Sequence, residues 1–235
     1  MLTFSTPLVK GTLIKRYKRF LADVTLESGE VITAHCPNTG SMKSCGAPGD
    51  TVWLTHDPSP KRKLKYTWEY TGKGRGYIGV NTQRPNRVVE QAVQAGRIPE
   101  LAGYTGLRRE VKYGREGKSR IDLLLEGDDR SPCYVEIKNA TLREEDYICF
   151  PDAVTARGLK HVQELVDVVQ DGGRAVLFFL VNRPDGRFFM PARHIHADYA
   201  DALVGAREKG LEILCYRARS TLKGMDVGNA LELRL

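Results

Sequence analysis

The sequence 120-RIDLLLEGDDRSPCYVEIKNAT-141 carries charged residues inside what otherwise reads as a buried β-hairpin. Asp122 begins one apolar run, residues 127–132 supply a polar turn, and Glu136 and Lys138 lie in the second apolar run. Because side chains alternate along a strand, Glu136 and Lys138 share one face. If the two runs pair as a hairpin, Asp122 comes to lie near Glu136.

Two carboxylates at close range repel each other, and partial burial makes their charge costly unless a divalent cation neutralises it. Oxygen ligands select hard cations, so Mg²⁺ or Mn²⁺ is the expected metal. Lys138 would supply a positive charge for a phosphate or position an attacking water. Together these residues predict metal-assisted phosphodiester hydrolysis. The competing interpretation is an exposed strand face with ordinary ion pairs.

The residues around the hairpin predict an α/β domain over residues 81–235. Pro85 can sit in a first helical turn, and the apolar stripe that follows ends near Gly96. The continuously apolar run 175-AVLFFLV-181 is typical of a fully buried strand. The predicted order is helix, three strands, helix and strand, with a further helix and strand after them: 85–96, 107–114, 120–126, 133–139, 152–170, 175–181, 198–209 and 211–216.

Residues 1–80 have a different pattern, with short strands separated by turns and few helix signals. Residues 13–26 form a long β-prone run, and a polar turn leads to the returning strand 31–36. Further strands are predicted at 51–56 and 64–70. About five short strands in so few residues predict a small barrel such as an oligonucleotide-binding fold, with a different small β-fold as the alternative.

Positive charge is concentrated in the first third of the chain. The 235 residues carry a formal net charge of +7; residues 1–80 hold 12 Lys and Arg against six Asp and Glu, whereas residues 81–235 hold 24 against 23. Such asymmetry predicts a polyanion-binding module in which aromatic rings stack on bases. The competing interpretation is a set of solvated surface charges. The predicted nucleic-acid-binding residues are Lys15, Arg16, Lys18, Arg19, Lys61, Arg62, Lys63, Lys65, Tyr66 and Trp68.

Composition argues against two other classes of protein. The longest purely apolar run, Ala175–Val181, is far shorter than the roughly 20 residues of a membrane-spanning helix. The five cysteines form no Cys-x-x-Cys pair, which favours a reduced, cytoplasmic protein over a disulfide or zinc scaffold.

The hairpin with Asp122 and Glu136-Ile137-Lys138 resembles the PD-(D/E)-x-K phosphodiesterase superfamily, which has the restriction-endonuclease-like fold. Over essentially its whole length, the chain more closely resembles the sugar fermentation stimulation protein A family. This resemblance implies an oligonucleotide-binding-type barrel followed by a nuclease-like domain, and nucleic acid as the partner, with non-sequence-specific contact to DNA. The motifs that carry it are 37-PNTGSM-42, 77-YIGVNT-82, 136-EIKNAT-141, 150-FPDAVTARG-158 and 160-KH-161.

The resemblance also implies a role for each residue of the hairpin motif. Asp122 and Glu136 would be the metal carboxylates, and Lys138 would be the catalytic lysine. Ile137 would offer its backbone carbonyl to the metal. The chain departs from the superfamily's name at Ile121, where that name has proline.

The two flanking helices offer supporting residues for the same site. A further acid from the first helix would be Glu90, with Glu110 as its competitor, although either could be a solvated charge. Four polar residues of the second helix share a face at three- and four-residue spacing, and an ordinary polar helix face is the alternative interpretation. They are Arg157, Lys160, His161 and Glu164; the first three are predicted to support the site, with Lys160 steadying phosphate.

Three functions remain open from the sequence. The first is a metal-dependent nuclease, and the second is a non-catalytic DNA-binding regulator of sugar metabolism of the maltose type. The third is an accessory factor in carbohydrate metabolism that binds protein or small molecules. The acid–acid–lysine set favours the nuclease, because two adjacent carboxylates repel phosphate and give a pure DNA-binding protein no advantage.

Overall fold

A computed structural model describes residues 1–115 and 117–235 of the chain. The first 80 residues are almost entirely β-structure and turns. Their strands are β1 (Leu2–Thr3), β2 (Val9–Tyr17), β3 (Leu21–Leu26), β4 (Val31–His35), β5 (Thr51–His56), β6 (Tyr66–Lys73) and β7 (Gly76–Gly79).

Strands β2 to β6 close into a five-stranded barrel, because β4 pairs with β3 on one side and with β6 on the other. Inward-pointing side chains fill it, among them Leu13, Val24, Leu54 and Trp68, each at most 1% exposed. Alternate burial along the strands gives the barrel its core. The predicted oligonucleotide-binding-type barrel is therefore confirmed.

The long β-prone run over residues 13–26 is two strands rather than one. The chain reverses between β2 and β3 at Lys18 and Arg19, whose φ angles are 49° and 64°. Neither residue type usually marks a left-handed turn, so the sequence carried no glycine or asparagine signal for it.

Helices and further strands make up the rest of the chain, in the predicted order helix, three strands, helix, strand. Three short strands are added to this order, two of them before the second helix and one after the apolar strand that covers residues 174–181. The elements are α1 (Arg84–Gln94), β8 (Gly106–Tyr113), β9 (Ser119–Gly127), β10 (Arg130–Ala140), β11 (Leu142–Glu144), β12 (Tyr147–Phe150), α2 (Ala156–Gln170), β13 (Arg174–Val181), β14 (Phe189–Pro191), α3 (Ala197–Glu208), β15 (Glu212–Thr221) and β16 (Gly224–Ala230).

Seven strands form the central sheet of this region, in the order β1-β16-β15-β13-β10-β9-β8. Helix α1 packs on one face through Val88, Val89 and Ala92. Helices α2 and α3 pack on the other face, α2 through Val162 and Leu165. Strand β13 is covered on both faces, which explains its continuously apolar sequence.

The sequence did not reveal the short strands. Strands β11, β12 and β14 form a separate three-stranded sheet, and each has only three or four residues. Strand β1 pairs with β16, so the first residues belong to the central sheet and not to the predicted N-terminal unit of residues 1–80. Such short segments carry too few residues for a period to show. Within the described residues, none of the helices has the length and apolar content needed to cross a membrane.

A buried carboxylate joins the barrel to the region that follows it. Glu69 of β6 is 2% exposed and accepts hydrogen bonds from Thr55 Oγ1 at 2.9 Å and Asn81 Nδ2 at 3.0 Å. Arg84, at the start of α1, donates to both of its oxygens, at 3.0 Å and 2.7 Å. The charge of Glu69 is therefore fully paired, and the pairing fixes the start of α1 against the barrel.

Removing Arg84 should leave the Glu69 carboxylate buried without its cation. We expect Arg84→Met to lower the free energy of unfolding by about 3 kcal/mol, measured by urea denaturation. Arg108→Met is the matched control, because Arg108 forms an exposed pair with Glu126 and its loss should leave the midpoint nearly unchanged. Equal effects of the two substitutions would contradict a structural role for the Glu69 pair.

Candidate functional site

Asp122 lies where the β9–β10 hairpin meets helix α1. The register that pairs Leu123 with Val135 brings Asp122 alongside Glu136. Its Oδ2 accepts the backbone N–H of Ile137 at 2.7 Å, and its Oδ1 accepts Asn86 Nδ2 at 2.7 Å. The carboxylate thus accepts the hydrogen bond that a backbone carbonyl of a neighbouring strand would otherwise accept from Ile137. Each of its two oxygens accepts one hydrogen bond.

Glu136 is buried on the α2 side of the sheet and is held through one oxygen. Its Oε1 lies 2.6 Å from Lys138 Nζ and 2.5 Å from His161 Nδ1. Among the described residues, its buried Oε2 has no hydrogen-bond partner. Buried carboxylate oxygens normally have a partner, so Oε2 is an unsatisfied acceptor.

His161 supports Glu136 from helix α2. Its Nδ1 faces the carboxylate, and Arg157 Nε donates to its Nε2 at 3.4 Å. These two contacts hold the His161 ring between Arg157 and Glu136, so His161 orients the carboxylate.

The environment moves the pKa values of the two carboxyl groups in opposite directions. Burial and the charge of Glu136 raise the pKa of Asp122 to about 7. Burial also acts to raise the pKa of Glu136, but the hydrogen bond from His161 and the charge of Lys138 outweigh it and leave that pKa below its ordinary value. At neutral pH the pair therefore carries between one and two negative charges, which a cation would stabilise.

The donor set fits a hard divalent cation. Two carboxylates and a backbone carbonyl are oxygen ligands, and Glu136 Oε2 has an unused acceptor position. Within the described residues no cluster of three or more His, Cys, Asp or Glu side chains is suitable for a metal. A cation here would need water or a phosphate oxygen to complete its ligands, which is the usual situation for Mg²⁺.

The carboxylates open into a polar cavity of about 470 Å³, which we call the site cavity. Strand β10 supplies residues 136–139, and helix α2 supplies Arg157 and His161. The barrel closes it from above with residues 38–40, so the two parts of the chain build the site together. The sequence motif 37-PNTGSM-42 belongs to this wall, although composition alone gave no reason to place it there.

Lys138 is 15% exposed and joins the two predicted acids in this cavity. Ile137 lines it as well. The structure thus brings together Asp122, Glu136, Ile137 and Lys138. The direct partner of Glu136 is His161, one of the predicted supporting residues, and the structure adds Asn86 as the partner of Asp122. The sequence did not indicate a role for Asn86, because an amide on a polar helix face has no pattern that distinguishes it from an ordinary surface residue.

The other predicted supporting residues lie around the site without contacting the acids. Glu90 pairs with Arg109 at 3.4 Å, and it is Asn86, one turn earlier, that meets Asp122. Glu110 is exposed on β8, where its charge helps to raise the pKa of Asp122. Lys160 is half exposed and pairs with Glu164 at 3.5 Å.

The predicted nucleic-acid surface of the barrel is partly available. Lys61, Lys63 and Lys65 are exposed, whereas Arg62 bonds Asp57 and Thr67. The prediction is wrong for Trp68, which lies fully inside the barrel and cannot stack on a base. Trp68 belongs to the cluster of buried residues that fills the barrel.

The basic segment of β2 divides in the same way. Lys15 is exposed but pairs with Asp23 at 3.7 Å. Tyr66, a predicted residue of β6, stacks on His56 with ring centroids 4.7 Å apart. Arg16 donates to backbone carbonyls, so its guanidinium is structural. Lys18, Arg19 and the half-exposed Phe20 form the exposed tip of the β2–β3 hairpin. Phe20, unlike Trp68, has an aromatic ring that is accessible on the barrel surface.

Two protein-family models match this chain. The first is described as "SfsA N-terminal OB domain" and matches residues 14–80. The second is described as "Sugar fermentation stimulation protein RE domain" and matches residues 83–224. The two matches follow the division between the barrel and the α/β region.

Curated relatives and a solved structure agree with these matches. A sugar fermentation stimulation protein homolog of Acidithiobacillus ferrooxidans is 54% identical over 214 residues, covering 91% of each chain. One from Geotalea uraniireducens is 51% identical over 229 residues, covering 97% of this chain and 98% of its own. The solved structure of Pyrococcus furiosus SfsA in complex with Ca²⁺ is 26% identical, covers both chains completely and superposes with a TM-score of 0.89.

The raised pKa of Asp122 predicts a specific pH dependence of stability in the metal-free protein. A carboxyl group whose folded-state pKa is raised stabilises the fold below its unfolded pKa near 4, and this contribution is lost as pH rises through about 7. Wild type in EDTA should therefore lose unfolding free energy between pH 5 and 7, by at most about 1.4 kcal/mol per pH unit.

Asp122→Asn should flatten this dependence, as measured by urea denaturation at each pH. Glu136 does not obscure the test, because its lowered pKa affects stability only at more acidic pH. Asp128→Asn, in the exposed turn of the same hairpin, should keep the wild-type dependence. A wild-type slope retained by Asp122→Asn would show that Asp122 does not titrate in this range.

Proposed function

The chain belongs to the sugar fermentation stimulation protein family, and from that premise we propose that it is a metal-dependent phosphodiesterase that cleaves nucleic acid. The observation that carries this proposal is the unsatisfied, buried Oε2 of Glu136. Glu136 lines a polar cavity together with a second carboxylate, Asp122, and with Lys138. DNA bound without sequence specificity is the substrate that we expect.

We infer Mg²⁺ or Mn²⁺ as the cofactor, held by Asp122, Glu136 and the backbone carbonyl of Ile137. The Pyrococcus furiosus relative was solved with Ca²⁺, which shares with Mg²⁺ the preference for oxygen ligands. When bound, such a cation polarises a phosphate oxygen and makes water a better nucleophile at neutral pH.

The remaining residues have roles that follow from their contacts. Lys138 Nζ contributes a positive charge inside the cavity, where a phosphodiester gathers negative charge as it reacts. His161 and Asn86 are positioning residues, because they touch the two carboxylates and hold their orientation. The exposed lysines of the barrel supply phosphate contacts that are independent of sequence.

A second candidate function is nucleic-acid binding without cleavage, in the service of regulating sugar metabolism. Two observations favour it: the exposed lysines 61, 63 and 65 lie on the barrel, apart from the carboxylates, and Lys138 is engaged by Glu136 at 2.6 Å. The two candidates differ in one measurable property, which is turnover.

The metal itself can be tested without any substrate. Saturating Mg²⁺ or Mn²⁺ should raise the melting temperature, since binding to the folded state alone adds about 2.7 kcal/mol at a hundredfold excess over Kd. For a chain of this length we expect a rise of several degrees.

The double variant Asp122→Asn/Glu136→Gln should abolish the metal-dependent rise. The variant Asp128→Asn/Asp129→Asn removes the same charge from the exposed turn and should respond like wild type. A full response in the site variant would exclude these carboxylates as the metal ligands.

The decisive test of catalysis is the substitution Lys138→Ala. With Mn²⁺, wild type should nick or degrade DNA or RNA. Lys138→Ala should lower the cleavage rate by at least about a hundredfold and leave the binding affinity nearly unchanged. Lys209→Ala, at the exposed end of α3, is the matched control and should cleave like wild type.

The three proteins must be purified in parallel, because a contaminating nuclease would act equally in all of them. Equal cleavage by all three would contradict a catalytic role for Lys138. If none cleaves single- or double-stranded DNA or RNA, the proposal of catalysis fails and the binding function is the better one.

A further inference from the structure

Two cavities of the protein meet at Asp122. The site cavity shares Thr82, Asn86 and Asp122 with a second cavity of about 970 Å³. The second cavity lies between helix α1 and strand β8, and we call it the α1–β8 groove. Asp122 therefore borders both cavities.

One wall of the site cavity includes Gly40 and Asp152, which do not line the α1–β8 groove. The backbone N–H and the Oγ of Ser41 both donate to Asp152 Oδ2, at 2.7 Å and 3.1 Å. This contact joins the barrel wall to the segment that leads into α2. Gly40 approaches so closely that a Cβ there would lie 2.5 Å from the Asp152 carboxylate, so a side chain at this position would displace that carboxylate.

The barrel wall is also held from behind. The guanidinium of Arg16 donates to the carbonyl oxygens of Asn38 at 2.8 Å and Gly40 at 3.1 Å. Thr82 Oγ1 donates to the carbonyl of Pro37 at 2.7 Å. These bonds tie both ends of the segment 37–40 to its surroundings, so this wall is part of the fixed structure.

The α1–β8 groove carries the cations that a phosphate chain needs. Arg87 of α1 is exposed, and within the described residues its guanidinium makes no ion pair. Arg109 of β8 is half exposed and is paired with Glu90 only at the long distance of 3.4 Å. Arg108 is less available, because it forms two 2.7 Å bonds with Glu126.

From these features we propose that the substrate is an unpaired nucleic-acid strand, which lies along the α1–β8 groove and places one phosphate at Asp122. The inference rests on the proposed function and adds the substrate class to it. Arg87 and Arg109 bind phosphates next to the one that is cleaved. No residue of this groove belongs to the barrel surfaces that the sequence suggested.

The size of the site cavity favours a single strand over a duplex. A cavity of about 470 Å³ is in the range that holds one small molecule, which is the scale of a nucleotide. The two grooves of B-DNA are about 12 and 6 Å wide and are flanked by both backbones. We therefore expect a single, unpaired backbone to bring its phosphate to the carboxylates.

Binding tests the groove without any need for turnover. In EDTA, the full chain should bind a labelled unpaired oligonucleotide more tightly than a blunt hairpin duplex of the same sequence. Arg87→Ala should reduce the slope of log K against log salt by about 0.7, and Arg87→Ala/Arg109→Ala by about 1.4, as expected for one and two lost phosphate contacts. Arg207→Ala, an equal charge change in the last turn of α3, should keep the wild-type slope.

Cleavage gives an independent result on a duplex that carries an unpaired overhang. With Mn²⁺, cuts should fall only in the overhang. If no polymer is cleaved but the strand preference and the Arg87 effect are found, the catalytic proposal fails and the groove assignment stands. Equal affinity for the hairpin duplex, an unchanged slope in the double variant, or cuts within the paired region would each overturn the inference.

Discussion

The burial of the Glu136 carboxylate is the constraint around which this site is built. A charged group that is 3% exposed loses most of its hydration, and the protein compensates with two donors on the same oxygen, Lys138 and His161. This requirement sets the position of helix α2, which must present His161 to the sheet. It also leaves Oε2 without a hydrogen-bond partner, since the donors among the described residues are on the other oxygen.

Asp122 is positioned by a local change in the hairpin. At this point the side chain of Asp122, rather than a backbone carbonyl, accepts the N–H of Ile137. Ile137 can therefore remain buried in the core against α1 while its neighbours Glu136 and Lys138 face α2. One face of strand β10 thus contributes Ile137 to the apolar core, and the other face presents Glu136 and Lys138 to the candidate site. This is the alternation expected of a β-strand.

The barrel is a part of the candidate site. Its segment 38–40 forms a wall of the site cavity, and its side chain Ser44 contacts the α/β region through Arg183 and Arg143. Arg183 is 2% exposed and has its charge paired with Asp185, so this interface contains a buried cation that is fully bonded. Polar interfaces of this kind impose one relative geometry, because each buried group needs its own partner.

The sequence by itself determined the order of the major elements, the barrel and the acid–acid–lysine motif. Those conclusions depend on periodicity and on charges inside apolar runs, which are properties of neighbouring residues. Only the tertiary structure decided that Trp68 is core, that Asn86 rather than Glu90 meets Asp122, and that His161 supports Glu136. It also decided that residues 38–40 line the site cavity. These outcomes depend on how a helix rotates over a sheet and on which loop covers it, and contacts between residues distant in the chain leave no local pattern in the sequence.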